Sequence, residues 1–147
     1  YYLEHIVLCL SDGLLAQCGI DLDTHRGEIA SGNLSSLRGC PFVLGSAEDI
    51  GGRIGRGLLR SSGVSPVSKA TSENVETLLA LCEQGVGACF CPENLLHTAL
   101  SPEQLAHLHI LPLCPEASYP ICFGYLSRSY PWSVLSEFIR IAREQTA

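Results

Sequence analysis

The sequence predicts an α/β fold, with a mainly parallel sheet covered by helices on both faces. Two observations predict it. Short, almost continuous apolar runs have the length and composition of strands buried on both sides; Ile6-Val7-Leu8-Cys9-Leu10, Pro41-Phe42-Val43-Leu44 and Val86 to Cys91 are the clearest. Between them lie stretches whose apolar residues recur at helical spacing, so that strand and helix alternate along the chain.

The elements follow in order. Residues 5–11 read as the first strand. Residues 12–33, mixed in character and broken by Gly13, Gly19, Gly27 and Gly32, read as a long surface excursion with little regular structure. Asn33 can cap a short turn through Leu34 and Leu37 that Gly39 ends. After the Pro41–Leu44 strand, Ile50, Ile54, Leu58 and Leu59 predict a helix from about Glu48 to Ser62, closed by Gly63. Glycines at 51, 52, 55 and 57 weaken that helix, each by up to about 1 kcal/mol relative to Ala, or allow close packing against a sheet. Pro66 to Ala70 is the next strand. A helix starting at Thr71, Ser72 or Glu73 carries Val75, Leu78, Leu79 and Cys82 on one face and stops at Gly85. The strand ending at Cys91 leads through Pro92 into a short helix. Ser101-Pro102-Glu103-Gln104 starts another, with Ser as cap and Pro at the first position. His107 to Leu113 and Tyr119 to Leu126 read as strands. Pro131 to about Gln145 reads as a final amphipathic helix with Val134, Leu135, Phe138 and Ile141 inward.

Composition excludes several classes. At 147 residues with 46% hydrophobic and 16% charged residues, the chain suits one globular domain. It contains no apolar run long enough to cross a membrane and opens without a signal peptide, and a cytoplasmic location is expected. It begins inside a strand and without Met, which suggests a longer parent. The formal charge of −6 and the scattered Lys and Arg residues argue against direct nucleic-acid binding. The eight cysteines include no C-x-x-C pair. Cys9, Cys89, Cys91 and Cys122 sit in core-strand surroundings, where a thiol behaves as a small hydrophobe, so reduced thiols are expected.

Catalytic and cofactor motifs are not found. Leu44-Gly45-Ser46-Ala47-Glu48 lacks the second glycine of a nucleophile elbow. No carboxylate pair has acid–base spacing. Gly52-x-x-Gly55-x-Gly57 has the wrong order, and the wrong place, for a dinucleotide loop. His107 and His109 alternate on one strand face without an adjacent third ligand, which favours a half-exposed face over a metal site. The expectation is a protein that is not an enzyme and uses no cofactor or metal.

Three segments together resemble the regulatory domain of LysR-type transcriptional regulators. They are Pro41-Phe42-Val43-Leu44; the run Ser72 to Glu93, with its helix, Gly85-Val86-Gly87, strand and Pro92; and Ile121-Cys122-Phe123-Gly124-Tyr125-Leu126 with the Trp132–Arg143 helix. Their order and spacing agree with the family over nearly the whole chain. The resemblance implies a type 2 periplasmic-binding-protein-like fold of two α/β subdomains joined by two crossover strands. Residues 1–115 would be the second subdomain with the first crossover, and residues 116–147 the return crossover and closing helix of the first. The opening part of the first subdomain and the family's N-terminal DNA-binding helix-turn-helix are absent from this sequence. The implied partners are a small-molecule effector, which could be anionic, further copies of the parent in a dimer or tetramer, and DNA through the parent's helix-turn-helix alone, with no membrane. A solute-binding protein for transport is the alternative with the same fold.

In such sheets ligands bind at the carboxyl ends of strands, where helix N-termini present free N–H groups. Thr71, Ser72 and Asn74 lie at one such junction, where Ser72 either helps to hold a ligand or only caps the helix. Gly45 and Ser46 form a second junction, which also reads as a tight turn. Pro92 shapes the wall of the cleft or simply makes the turn. Glu73, beside the first junction, would repel an anion.

Overall fold

The computed structural model describes residues 2–126 and 132–145. One strand organises the sheet. β1 (Tyr2–Ser11) pairs along Ile6–Cys9 with β4 (Cys89–Pro92) and along Val7–Ser11 with β5 (Leu108–Pro112). Its first half, Tyr2–His5, pairs with β6 (Ser118–Ile121). On the far side of β4, β2 (Pro41–Leu44) joins through Val43 N–H to Ala88 C=O and Ala88 N–H to Pro41 C=O, both 2.9 Å. β3 (Val67–Thr71) is the exposed edge beyond β2.

The α/β class holds, and the expected parallel pairing holds for part of the sheet. β2 and β3 are parallel, and the Phe42–Ala88 bridge to the β4 segment is parallel, because α3 (Ile50–Ser61) and α4 (Val75–Glu83) each carry the chain back across the sheet. β1 is antiparallel to β4, β5 and β6. Strand–helix alternation determines direction only where a single helix returns the chain, and β1 is joined to the rest by the segment read as irregular.

That segment is helical. α1 (Asp12–Cys18) is capped by Ser11, whose Oγ accepts from Leu14 N–H at 3.2 Å, and Gly19 ends it at φ 64°. α2 (Leu22–Ala30) is capped by Asp21. Only Leu14 of α1 and Leu22 and Ile29 of α2 are buried, so neither helix shows the apolar stripe that marks one in a sequence. Three other expectations shift. β6 ends at Ile121 instead of Leu126. The short α6 (Pro102–Ala106) has its Ser101–Gln104 capping box but keeps His107 as its C-cap, out of β5. α7 (Ser133–Gln145) starts after Pro131, which lies outside the described residues. Val134, Phe138 and Ile141 of α7 are exposed, not inward. The ring of Phe138 meets Phe123 edge-on at 5.5 Å, and no described residue of this helix is buried.

Side-chain alternation along β1 builds two cores. Ile6, Leu8 and Leu10 face Phe42, Leu44, Phe90, α1 and α2; Val7 and Cys9 face Val43, Cys89, Cys91 and the buried side of α4. The α3 glycines serve the first core. A Cβ on Gly55 would lie 2.3 Å from the Phe90 ring, and one on Gly52 would lie 2.2 Å from the Ser46 carbonyl. Gly57 faces open space. Gly55→Ala is therefore expected to destabilise the fold by about 1–3 kcal/mol through overpacking. Gly57→Ala is expected to stabilise it by up to about 1 kcal/mol through helix propensity. Denaturant unfolding of the two variants checks the opposite signs.

Candidate ligand-binding site

The six residues singled out in the sequence fall on three neighbouring junctions at one end of the sheet. Gly45 and Ser46 follow β2, Thr71 ends β3 with Ser72 and Asn74 after it, and Pro92 ends β4. The first two junctions are tied directly, because Ser72 N–H donates to the Leu44 carbonyl at 3.1 Å. Pro92 sits opposite Ile6 on β1. The strand order β3-β2-β4 thus brings the three junctions side by side.

Asn74, not Ser72, caps α4: its Oδ1 accepts from Thr77 N–H at 2.9 Å. Ser72 Oγ accepts from Asn74 N–H at 3.1 Å and so shapes the turn before the helix. Asp49 caps α3 by accepting from Gly52 N–H at 2.9 Å, while Ser46 Oγ accepts from Asp49 N–H. Each cap satisfies one amide, and the other first-turn amides have no partner inside a helix. Thr71 and Asn74 are exposed, Ser46, Ser72 and Pro92 half-buried, and Gly45 buried. Arg56 reaches back from α3 so that its Nη2 donates to the Gly45 carbonyl at 2.9 Å, holding that loop from beneath.

Two residues at this end escaped the sequence reading. Glu4 of β1 is only 4% exposed. Its Oε1 accepts from Asn94 N–H at 3.3 Å and its Oε2 from Asn94 Nδ2 at 3.1 Å, at the start of α5 (Glu93–Ala99). Asn94 Nδ2 also donates to the Tyr2 hydroxyl. The signal was present: Glu4 shares its face of the strand with Ile6 and Leu8, so its side chain was bound to point inward. Tyr119, opposite Glu4 on β6, has its phenol pushed up by burial and then by the Glu4 and Asp49 carboxylates. Glu4 is thus a buried carboxylate at this end, while the exposed Asp49 and the hydroxyls and amide N–H groups of the junctions lie nearer the surface.

Other candidates separate from it. His109 Nε2 meets Asp12 Oδ1 at 2.5 Å, while His107 is the C-cap of α6 and lies outside β5, so the two histidines do not alternate along one strand. Two cavities lie elsewhere: about 230 Å³ between Phe123, Tyr125, Phe138 and Arg143, and about 390 Å³ beside Arg56, Arg60 and Ser65. No described helix is long and apolar enough to cross a membrane.

A family model described as the LysR substrate binding domain matches residues 2–147. The chain belongs to the LysR substrate-binding domain family. Solved structures of LysR-family proteins share its fold. HinK, a LysR family transcriptional regulator from Pseudomonas aeruginosa, superposes with a TM-score of 0.67 at 16% identity, over 99% of this chain and 46% of its own. The CcmR regulatory domain of Synechocystis PCC6803, in complex with 2-PG, gives 0.65 at 12% identity, over 99% and 64%. The effector-binding domain of QuiR in complex with shikimate gives 0.61 at 11%, over 98% and 62%. The chain thus spans between about half and two thirds of these LysR-family chains. Curated protein sequences yield no match.

The buried Glu4–Asn94 clamp carries a prediction. Glu4→Ala is expected to cost about 1–3 kcal/mol, because it leaves the Asn94 amide groups without their acceptor in a part-buried setting. Thermal unfolding checks it, and a change below about 0.5 kcal/mol would show that water replaces the carboxylate.

Proposed function

We propose that the chain is the effector-sensing part of a LysR-type regulator, binding a small metabolite at the junctions formed by Gly45, Ser46, Thr71, Ser72, Asn74 and Pro92. The observation that carries this reading is the convergence of three strand ends, with two capped helix starts, beside β1. Hydroxyls and amide N–H groups on the rim suit a carboxylate or similar anion. The nearby carboxylates of Glu4 and Asp49 suit hydroxyl or ammonium donors on the same ligand. A hydroxy acid or amino acid fits both, and two structural relatives are described in complex with a small molecule, shikimate and 2-PG.

We propose a division of the chain on the same strands. Residues 1–115 form the subdomain that presents these junctions, with β1 as its crossover. Residues 116–147 supply the return crossover, β6, and the closing helix, α7. The side-by-side pairing of β1 and β6, Leu3 opposite Pro120, supports two adjacent crossovers. Ligand binding between subdomains joined by two strands changes their relative orientation. In the parent protein that change would reach DNA-binding domains held in a dimer or tetramer. The reading assigns no catalytic step and no cofactor.

Thermal stabilisation by a panel of hydroxy acids, amino acids, sugars and amines tests the reading, and stabilisation confined to neutral sugars or amines would overturn the choice of ligand class. Ser72→Ala is then expected to weaken binding of the stabilising compound roughly five- to tenfold, about 1 kcal/mol. It should change unfolding by less than about 1 kcal/mol, since Ser72 Oγ serves one exposed turn. Unchanged affinity by calorimetry would remove Ser72 from the site.

A further inference from the structure

Five of the eight cysteines are buried in the two cores and two more, Cys18 and Cys114, pack partly buried against the first, and they are not equivalent. Cys9 and Cys91 bring their sulfurs to 3.6 Å, yet both are fully buried between the sheet and α4. Cys18 and Cys40 bring theirs to 3.3 Å, and here one partner is partly exposed: Cys18 is half-buried at the end of α1, while Cys40 is buried at the entrance to β2. A reagent in solution can reach the second pair without opening a core.

We propose that Cys18 and Cys40 are a redox-responsive dithiol that closes to a reversible disulfide by exchange with a low-molecular-weight disulfide such as oxidised glutathione. The Cys18 thiolate attacks one glutathione sulfur, giving a mixed disulfide and releasing one glutathione thiolate. Cys40 then attacks the Cys18 sulfur, releasing the second glutathione and giving its own proton to the medium. Two protein thiols become one disulfide, and one glutathione disulfide becomes two thiols.

The local backbone suits the closure. A disulfide needs the sulfurs at about 2.05 Å, so the pair must approach by about 1.2 Å. Cys18 is followed by Gly19 at φ 64° and Cys40 is preceded by Gly39 at φ 81°, two turn glycines with no atom within 4 Å of where a Cβ would sit. The turns on both sides therefore have space to move. Burial, and then the Cys18 sulfur beside it, push the Cys40 thiol up, which disfavours its thiolate as the resting form. The cross-link would enclose α2, a helix with two buried residues, and tie the end of α1 to the start of β2. Its place is the opposite end of β2 from Gly45, so it would act on the scaffold and not on the ligand junctions.

The test equilibrates the chain in glutathione buffers of rising disulfide fraction, quenches with acid, alkylates the remaining thiols under denaturing conditions and maps the peptides. The expected result is a fall from eight alkylatable thiols to six, with a peptide linking Cys18 to Cys40. Reduction should restore all eight, and the oxidised form should melt at higher temperature. Cys18→Ser and Cys40→Ser should each abolish the linked peptide, and Cys114→Ser should leave it intact. Eight free thiols at every ratio, a Cys18–glutathione adduct that never resolves, or a link between other cysteines would each overturn the proposal.

Discussion

The structure depends on β1 being paired on both edges and buried on both faces. From Ile6 to Leu10 it is at most 2% exposed. Such a strand leaves no backbone group to water, so its N–H and C=O groups must find partners in β4, β5 and β6. Alternation then decides which side chain belongs to which core. A slip of one residue would exchange Ile6, Leu8 and Leu10 for Val7 and Cys9 and unmake both cores at once. That constraint fixes the register of the neighbouring strands and, through β4, the position of Pro92.

The α3 contacts extend the constraint to the strand-end junctions. Phe42 and Phe90 stack at 6.0 Å, and Gly55 lies directly over Phe90. A helix this close to the sheet brings its first turn against Gly45 and Ser46, where Gly52 leaves no space for a side chain. The glycines that lower helix propensity are thus the condition for seating the helix where Asp49 and Arg56 can hold the loop. Local propensity gives way to packing here, as it does wherever backbone must approach backbone.

Much of this was legible in the sequence, and the failures have physical reasons. Continuous apolar runs gave β1, β2 and β4, and helical spacing gave α3 and α4, because burial on both faces or along a full stripe leaves a strong pattern. The helices α1 and α2 left almost none, since three buried residues suffice to anchor them; their caps, Ser11 and Asp21, were the readable trace. Parallel pairing was over-extended, because direction is encoded by connections and not by strand composition. The candidate junctions followed from strand-to-helix order; the inward place of Glu4 was readable from alternation along β1, but its partner on α5 was not, since nothing in the sequence pairs it with Asn94.

Two boundaries of the fold therefore differ in character. At the junction end, polar groups are arranged and mutually held: Ser72 on Leu44, Arg56 on Gly45, Glu4 on Asn94. At α7, apolar side chains stand exposed among the described residues, with Phe138 meeting the Phe123 ring and Val134 at 75% exposure. Apolar surface left in water forgoes about 25 cal/mol per Å², so a helix with this face gains little from the described residues. For the proposed site, the mutual hydrogen bonds at the polar end would reduce the entropy its groups lose on binding. The placing of those groups comes from the twice-buried β1 and the glycine-seated α3, which is how the junctions are held by hydrogen bonds although four of their six residues lie outside the strands.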